Sequence, residues 1–212
     1  MKTTNYLTWK RTNRALFRLL IALNSCVFFF FLSAQIVYAN SVLTDGTVIN
    51  ANNSTDQNEG TGAILEASAG VLLGVGATPA NISLSFPADV PANTTTFLKI
   101  QTQDDILSSL LGGTLGDLLS TTVGVALTGN QEFTVEAKNS GGTNVLTANS
   151  SNPSTFAGER MKIVRDASNN TYLAITPNVA YRTIKITNET GALLGLGVKK
   201  TMTVYDAFYY ST

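Results

Sequence analysis

The 212-residue sequence contains no histidine, a single cysteine, a single tryptophan and five prolines. Cys26 and Trp9 both fall within the first 39 residues, so the remainder has neither. Residues 40–212 therefore offer no disulfide, no thiol nucleophile and no thiolate or imidazole ligand for a metal. They also lack the side chain that most often serves as a general base at neutral pH. Charge is scarce as well, at 13% Asp, Glu, Lys and Arg. It is unevenly placed, because residues 40–212 carry nine Lys and Arg against fourteen Asp and Glu, a net charge of −5. An acidic stretch without a basic run is a poor match for the phosphates of nucleic acid, so no nucleic-acid partner is expected.

The first segment is of a different kind. Lys2, Lys10, Arg11, Arg14 and Arg18 lie in residues 1–18 with no acidic residue among them. Residues 19–34 are almost wholly apolar, with Phe28, Phe29, Phe30 and Phe31 at their centre. Val37, Tyr38 and Ala39 follow, with a small residue last. A basic region, an apolar region and a small-residue cleavage site are the three parts of a secretory signal. Residues 1–39 are thus expected to be a signal peptide, with a helical apolar stretch, cut after Ala39. If uncut, residues 19–38 are long enough to span a bilayer, and this segment is then the only membrane contact expected. Leu23, Asn24, Ser25 and Cys26 loosely resemble a lipoprotein cleavage box.

Residues 40–212 have the size of one ordinary domain. Apolar and polar residues alternate over 81–86, 96–101, 132–138, 161–165, 172–175, 182–187 and 202–208, and turn residues punctuate these runs. Period-two alternation bounded by Gly, Asn, Asp, Ser and Pro marks half-buried antiparallel strands. The first run is expected to stop at Pro87. Eight to ten such strands predict an all-β fold, an antiparallel β-sandwich of jelly-roll type. Residues 104–111 break the pattern with helical spacing, Leu107 and Leu111 sharing a face, and predict a short helical insertion whose start Thr102 or Asp104 caps.

Three oxygen-bearing side chains, Asp56, Asn58 and Glu59, crowd one short span. With backbone carbonyls, such a set suits calcium, the one cofactor these residues suggest. Asp104 and Asp105 form a second acidic pair, better explained by helix capping than by paired-carboxylate hydrolysis. Tyr205, Phe208, Tyr209 and Tyr210 crowd the end of the chain. Strict alternation puts Tyr205 and Tyr209 on one face, where they are the candidate ligand-binding residues for stacking on a sugar ring. No residue is expected to be catalytic.

A family pattern emerges from several of these stretches. Residues 53–61 (NSTDQNEGT), 65–70 (LEASAG), 110–116 (LLGGTLG), 129–135 (GNQEFTV), 175–177 (ITP) and 204–209 (VYDAFY) resemble the N-terminal module of large secreted adhesin-type proteins of gliding bacteria. There the module precedes Ig-like repeats and a sorting domain. The likeness covers nearly all of residues 40–212, and it implies a stand-alone copy or a truncated larger adhesin. A more distant resemblance is to discoidin-type, galactose-binding-like jelly rolls that open on Asp-Gly-x-x-x-Thr. Here Asp56 and Thr61 match, but Gln57 stands in place of the glycine and no tryptophan follows. These resemblances imply a secreted or cell-surface, non-catalytic module for adhesion or surface architecture. The alternatives are a carbohydrate-binding module of galactose-binding-like type and a carboxylate-dependent hydrolase. Glycans or other surface proteins are the expected partners.

Overall fold

The structure is a computed structural model that describes residues 34–70, 76–104, 106–110, 131–156, 158–190 and 199–211. The basic and apolar parts of the expected signal, the Cys26 box and the continuation of the helical insertion beyond Leu110 lie outside these residues. Ile36–Tyr210 make up one compact unit. The other unit, Met1–Gln35 with Ser211–Thr212, contributes only residues 34, 35 and 211 to the described set.

The unit is an all-β sandwich of two sheets. One sheet has seven strands. Along it run β3 (Thr47–Ile49), β4 (Ala63–Ser68), β12 (Lys199–Ser211), β6 (Thr96–Thr102), β10 (Thr171–Ile175) and β9 (Met161–Arg165), while β1 (Gln35–Tyr38) also pairs with β12. The other has five, in the order β2 (Ser41–Asp45), β5 (Ala80–Val90), β11 (Tyr181–Thr190), β7 (Gln131–Lys138) and β8 (Asn144–Asn149). Alternation explains the best-formed strands. In β7 every second side chain from Gln131 to Ala137 is buried and the residues between are half-exposed. Phe133, Val135, Ile184, Ile186, Ile82 and Leu84 point inward from the five-stranded sheet and meet Leu65, Leu98, Ile100, Leu173 and Val204 from the other. Each fully buried side chain of this size contributes about 1.5–3 kcal/mol.

Two polar ties fasten the sheets at either end of β11. The Tyr181 hydroxyl pairs with the Thr96 hydroxyl of β6, both fully buried. At the other end the Asn188 amide donates to the carbonyls of Leu65 (2.9 Å) and Lys200 (3.0 Å) in the opposite sheet. The Gln131 amide donates to Asn188 Oδ1 at 2.8 Å and to the Thr201 carbonyl at 2.9 Å. A buried polar group costs about 1–3 kcal/mol when left unpaired, so these ties fix how one sheet sits on the other.

Three observations bear on the expected elements. β5 continues through Pro87 to Val90, because its pairing with β11 slips between Ser85 and Val90 and no ladder bond is asked of the proline nitrogen. Arg182 of β11 reaches across this irregularity, donating to the carbonyls of Phe86 and Pro87. The helical insertion is a single turn, Ile106–Leu110, within the described residues. Asp104 takes the Lys200 ammonium at 2.6 Å and the Gln131 N–H at 3.3 Å, so its carboxylate fastens strands.

The third concerns the amino-terminal edge. Gln35–Tyr38, expected as the end of the signal, form β1. Ala39 is buried and its N–H donates to the Ala207 carbonyl at 2.9 Å. The next N–H, of Asn40, donates to Ser85 in the other sheet, so the chain crosses between layers here. Cleavage after Ala39 would take β1 away with the signal.

Candidate functional site

The two outer faces of the sandwich differ. Toward the centre of the five-stranded sheet the outer side chains are polar or charged and several pair across strands, whereas Leu43 stands 72% exposed on its β2 edge. Ser85 bonds Thr183 at 2.8 Å, Asn149 bonds Thr134 at 2.8 Å, and Glu136 lies 3.7 Å from Lys185 and 3.5 Å from Lys138.

The seven-stranded sheet owes its different face to one irregularity. Val204 stands opposite Ile100 but Ala207 opposite Leu98, so β12 carries an extra residue and both Tyr205 and Asp206 oppose Lys99. A bulge resets which side chains face out. Val204, Ala207 and Tyr209 face the core, while Tyr205, Phe208 and Tyr210 face outward. The expected shared face of Tyr205 and Tyr209 is thereby corrected. Tyr209 is buried, edge-on to Phe86 with ring centres 5.3 Å apart, and offers no surface for a ligand. Tyr205 is half-exposed.

An aromatic cluster takes the place of that pair. Phe208 is surrounded by Tyr38 (5.7 Å), Phe97 (5.8 Å), Tyr210 (5.9 Å) and Tyr172 (6.4 Å). Tyr210 at its rim is 49% exposed, so the cluster opens to solvent there. Tyr38, Phe97 and Tyr172 come from three different strands, and their spacing in the sequence carries no sign of convergence.

The loop between β3 and β4 folds over the bulge. Gln57 N–H donates to Asp206 Oδ1 at 3.2 Å, Lys99 Nζ donates to the Glu59 carbonyl at 2.7 Å, and the Tyr172 hydroxyl donates to Glu59 Oε2 at 3.0 Å. Gly62 is required beneath it, since a Cβ there would lie 2.6 Å from Thr203 Cγ2. Gln57 adopts φ 62°, the left-handed conformation that the glycine of the discoidin-type pattern would take without cost. Asp206 is fully buried, and among the described residues its Oδ2 has no hydrogen-bond partner. Burial, then the nearby Asp56 and Glu59 charges, push its carboxyl up to about 6, against the lowering effect of the Gln57 and Asn58 amides. Burial, then Glu59, likewise holds the Tyr172 hydroxyl well above its ordinary value.

Asp56, Asn58 and Glu59, the expected calcium ligands, all lie in this loop, and their oxygens close it. Asp56 Oδ1 accepts from Asn58 N–H (3.0 Å), Asp56 Oδ2 from the Thr61 hydroxyl (2.7 Å), and Asn58 Oδ1 from Gly60 N–H (3.0 Å). The Glu59 carboxylate accepts from the Tyr172 hydroxyl, and its backbone carbonyl accepts from the Lys99 ammonium. Among the described residues no three Asp, Glu, His or Cys side chains converge in a way that could hold a metal ion. Asp56 and Asn58 thus brace the loop, and Glu59 ties it to Tyr172 of β10.

Beside the loop lies a groove of about 460 Å³. Lys99, Gln101 and Gln103 of β6 and its following turn form one side, Arg165 and Asn169 of the β9–β10 hairpin the other, and Tyr205 a wall. The Lys99 ammonium sits 4.5 Å from the centre of the Tyr205 ring, so one face of that ring carries a cation. Asp104 also lines the groove, with its charge matched by Lys200. Sequence reasoning found Tyr205 but not its companions, which come together only through the β6–β10 pairing.

Comparison with protein-family models, curated proteins and solved structures gives no match to this chain.

Proposed function

We propose that this chain is a secreted or cell-surface, non-catalytic β-sandwich module that serves adhesion or surface architecture. The carrying observation is the asymmetry of the sandwich. The centre of one outer face is occupied by its own polar pairs, with Leu43 exposed at the β2 edge, whereas the other presents an aromatic cluster open at Tyr210 and a polar groove. The basic and apolar amino terminus supports export. The resemblance of residues 53–61 and 204–209 to adhesin-type modules supports the role at the surface. Fractionation and protease shaving of intact cells test this reading. The protein is expected outside the cytoplasm and open to protease, and a purely cytoplasmic pool would overturn it.

A carbohydrate-binding, galactose-binding-like function is the second reading, and the groove favours it. Hydrogen-bonding side chains beside an aromatic wall are what a sugar requires. A glycan array probed with the exported protein is expected to give hits that Tyr205→Ala removes. An array without a hit at high protein concentration would end it.

A further inference from the structure

The sandwich edge at β1 uses the residues that a cut after Ala39 would remove. β4 pairs with β12 only from Lys199 to Val204. Beyond that point β1 takes the same side of β12, with the Ala39 N–H donating to the Ala207 carbonyl at 2.9 Å. Residues 36–39 alternate as a strand with one buried face does. Val37 and Ala39 pack toward the core, while Ile36 is 42% exposed and Tyr38 stands against Phe208 in the outer aromatic cluster. The Gln35 carbonyl accepts from the Ser211 hydroxyl at 3.1 Å. A chain starting at Asn40 would leave the Ala207 carbonyl without its donor and uncover one side of the Phe208 ring. It would also leave the far end of β12 as an open edge.

A signal is cut as the chain crosses the membrane, before it folds, so the burial of Ala39 does not itself shield that bond. The fold nevertheless needs residues 36–39, and the sequence offers another small residue just upstream of them. Residues 19–32 form a largely apolar region of fourteen residues after Arg18, within the about 7–15 usual for a signal, and Ser33 and Ala34 follow. Ala34 is exposed and lies immediately ahead of β1. We infer that the signal is cut between Ala34 and Gln35, so that the exported chain keeps β1 and Tyr38 stays in the open aromatic face. Hydrolysis of this peptide bond adds one water, leaving a carboxylate on Ala34 and an ammonium on Gln35. The signal then departs without taking a strand. This rests on the export reading above and specifies its processing site.

The test is mass spectrometry of the intact protein and of its amino-terminal peptide, after fractionation of the cells that make it. An exported chain whose first residue is Gln35 is expected. Ala34→Tyr puts a bulky ring where the processing enzyme takes a small residue, and it is expected to abolish the cut form and accumulate the uncut chain. Ala34 is absent from the cut chain, so this variant reports on processing and not on the stability of the domain. An exported chain beginning at Asn40, or at any residue other than Gln35, would overturn the inference while sparing export. Unaltered processing of Ala34→Tyr, or an uncut chain found outside the cytoplasm, would do the same. An uncut chain confined to the cytoplasm would overturn both readings.

Discussion

The two outer faces of this sandwich are built from strands of similar alternation, yet polar pairs close the centre of one, with Leu43 exposed at its β2 edge, and do not close the other. On the five-stranded sheet the pairing of β11 with β7 is unbroken from Thr183 to Thr190, so polar residues meet polar residues all along it. On the seven-stranded sheet one extra residue in β12 turns Phe208 and Tyr210 outward and leaves Asp206 without a place in the alternation. A loop must then cover Asp206, and aromatic side chains from β1, β6 and β10 must cover Phe208. A single insertion in register thus converts a self-contained surface into one with a groove, a buried acid and an exposed aromatic rim.

The comparison is most sharply tested by removing what the bulge created. Phe208→Ala on the open face is expected to cost about 3 kcal/mol, as for a buried aromatic elsewhere. Thr183→Ala on the closed face is expected to cost less than about 1 kcal/mol, the worth of one cross-strand hydrogen bond. Urea denaturation of both variants makes the measurement, and equal losses would mean that the outer cluster is not packed as described.

Next in size is β1. A chain beginning at Gln35 is expected to melt about 6 °C higher than one beginning at Asn40, because the shorter chain loses the β1–β12 pairing and the Tyr38–Phe208 contact, together about 2 kcal/mol. Amino-terminal sequencing of the protein isolated from cells then shows where its chain begins. Equal melting temperatures would show that β1 adds nothing to the sheet.

The buried acid gives a smaller effect with a defined sign. Asp206 is raised to about 6 in the folded protein by burial and by Asp56 and Glu59, with Lys99, Tyr38 and Tyr172 also around it. Folding therefore favours its protonated form. That stabilisation is complete below about pH 4, the unfolded carboxyl value, and is lost as pH rises through about 6. Asp206→Asn keeps the acceptor for Gln57 and removes the charge. It is expected to stabilise by about 1–2 kcal/mol at pH 7.5 and by little at pH 4. A variant whose stability tracks the wild type at both pH values would contradict this.

The smallest test lies on the closed face. Glu132 and Glu189 stand directly opposite each other, and burial followed by the Glu189 charge raises the Glu132 carboxyl. Glu189→Gln is expected to stabilise by about 0.5 kcal/mol at neutral pH. The gain should vanish as acid protonates Glu132, since the raised group penalises the folded state only once it ionises.

Much of the closed face was legible in the sequence, and little of the open one was. The runs at 81–86, 132–138 and 182–187 alternate strictly and became β5, β7 and β11, because a strand with one buried face must repeat every two residues. The run at 202–208 alternates just as well on paper, but a bulge adds no residue type that marks it, so the side chains beyond Tyr205 were assigned to the wrong faces. β1 was hidden for another reason, since Ile36, Val37 and Tyr38 continue an apolar segment that reads as part of a signal.

Side-chain alternation, and which side chains exist at all, specify the class of fold, most strand positions and the chemistry absent beyond residue 39. Packing between distant strands is what makes Asp56 and Asn58 brace a loop that Glu59 ties to β10, places Tyr209 in the core, and brings Lys99, Gln101, Gln103 and Arg165 to one groove. Those outcomes depend on the register between β6, β10 and β12, which is set by contacts among residues distant in the chain and leaves no local pattern to read.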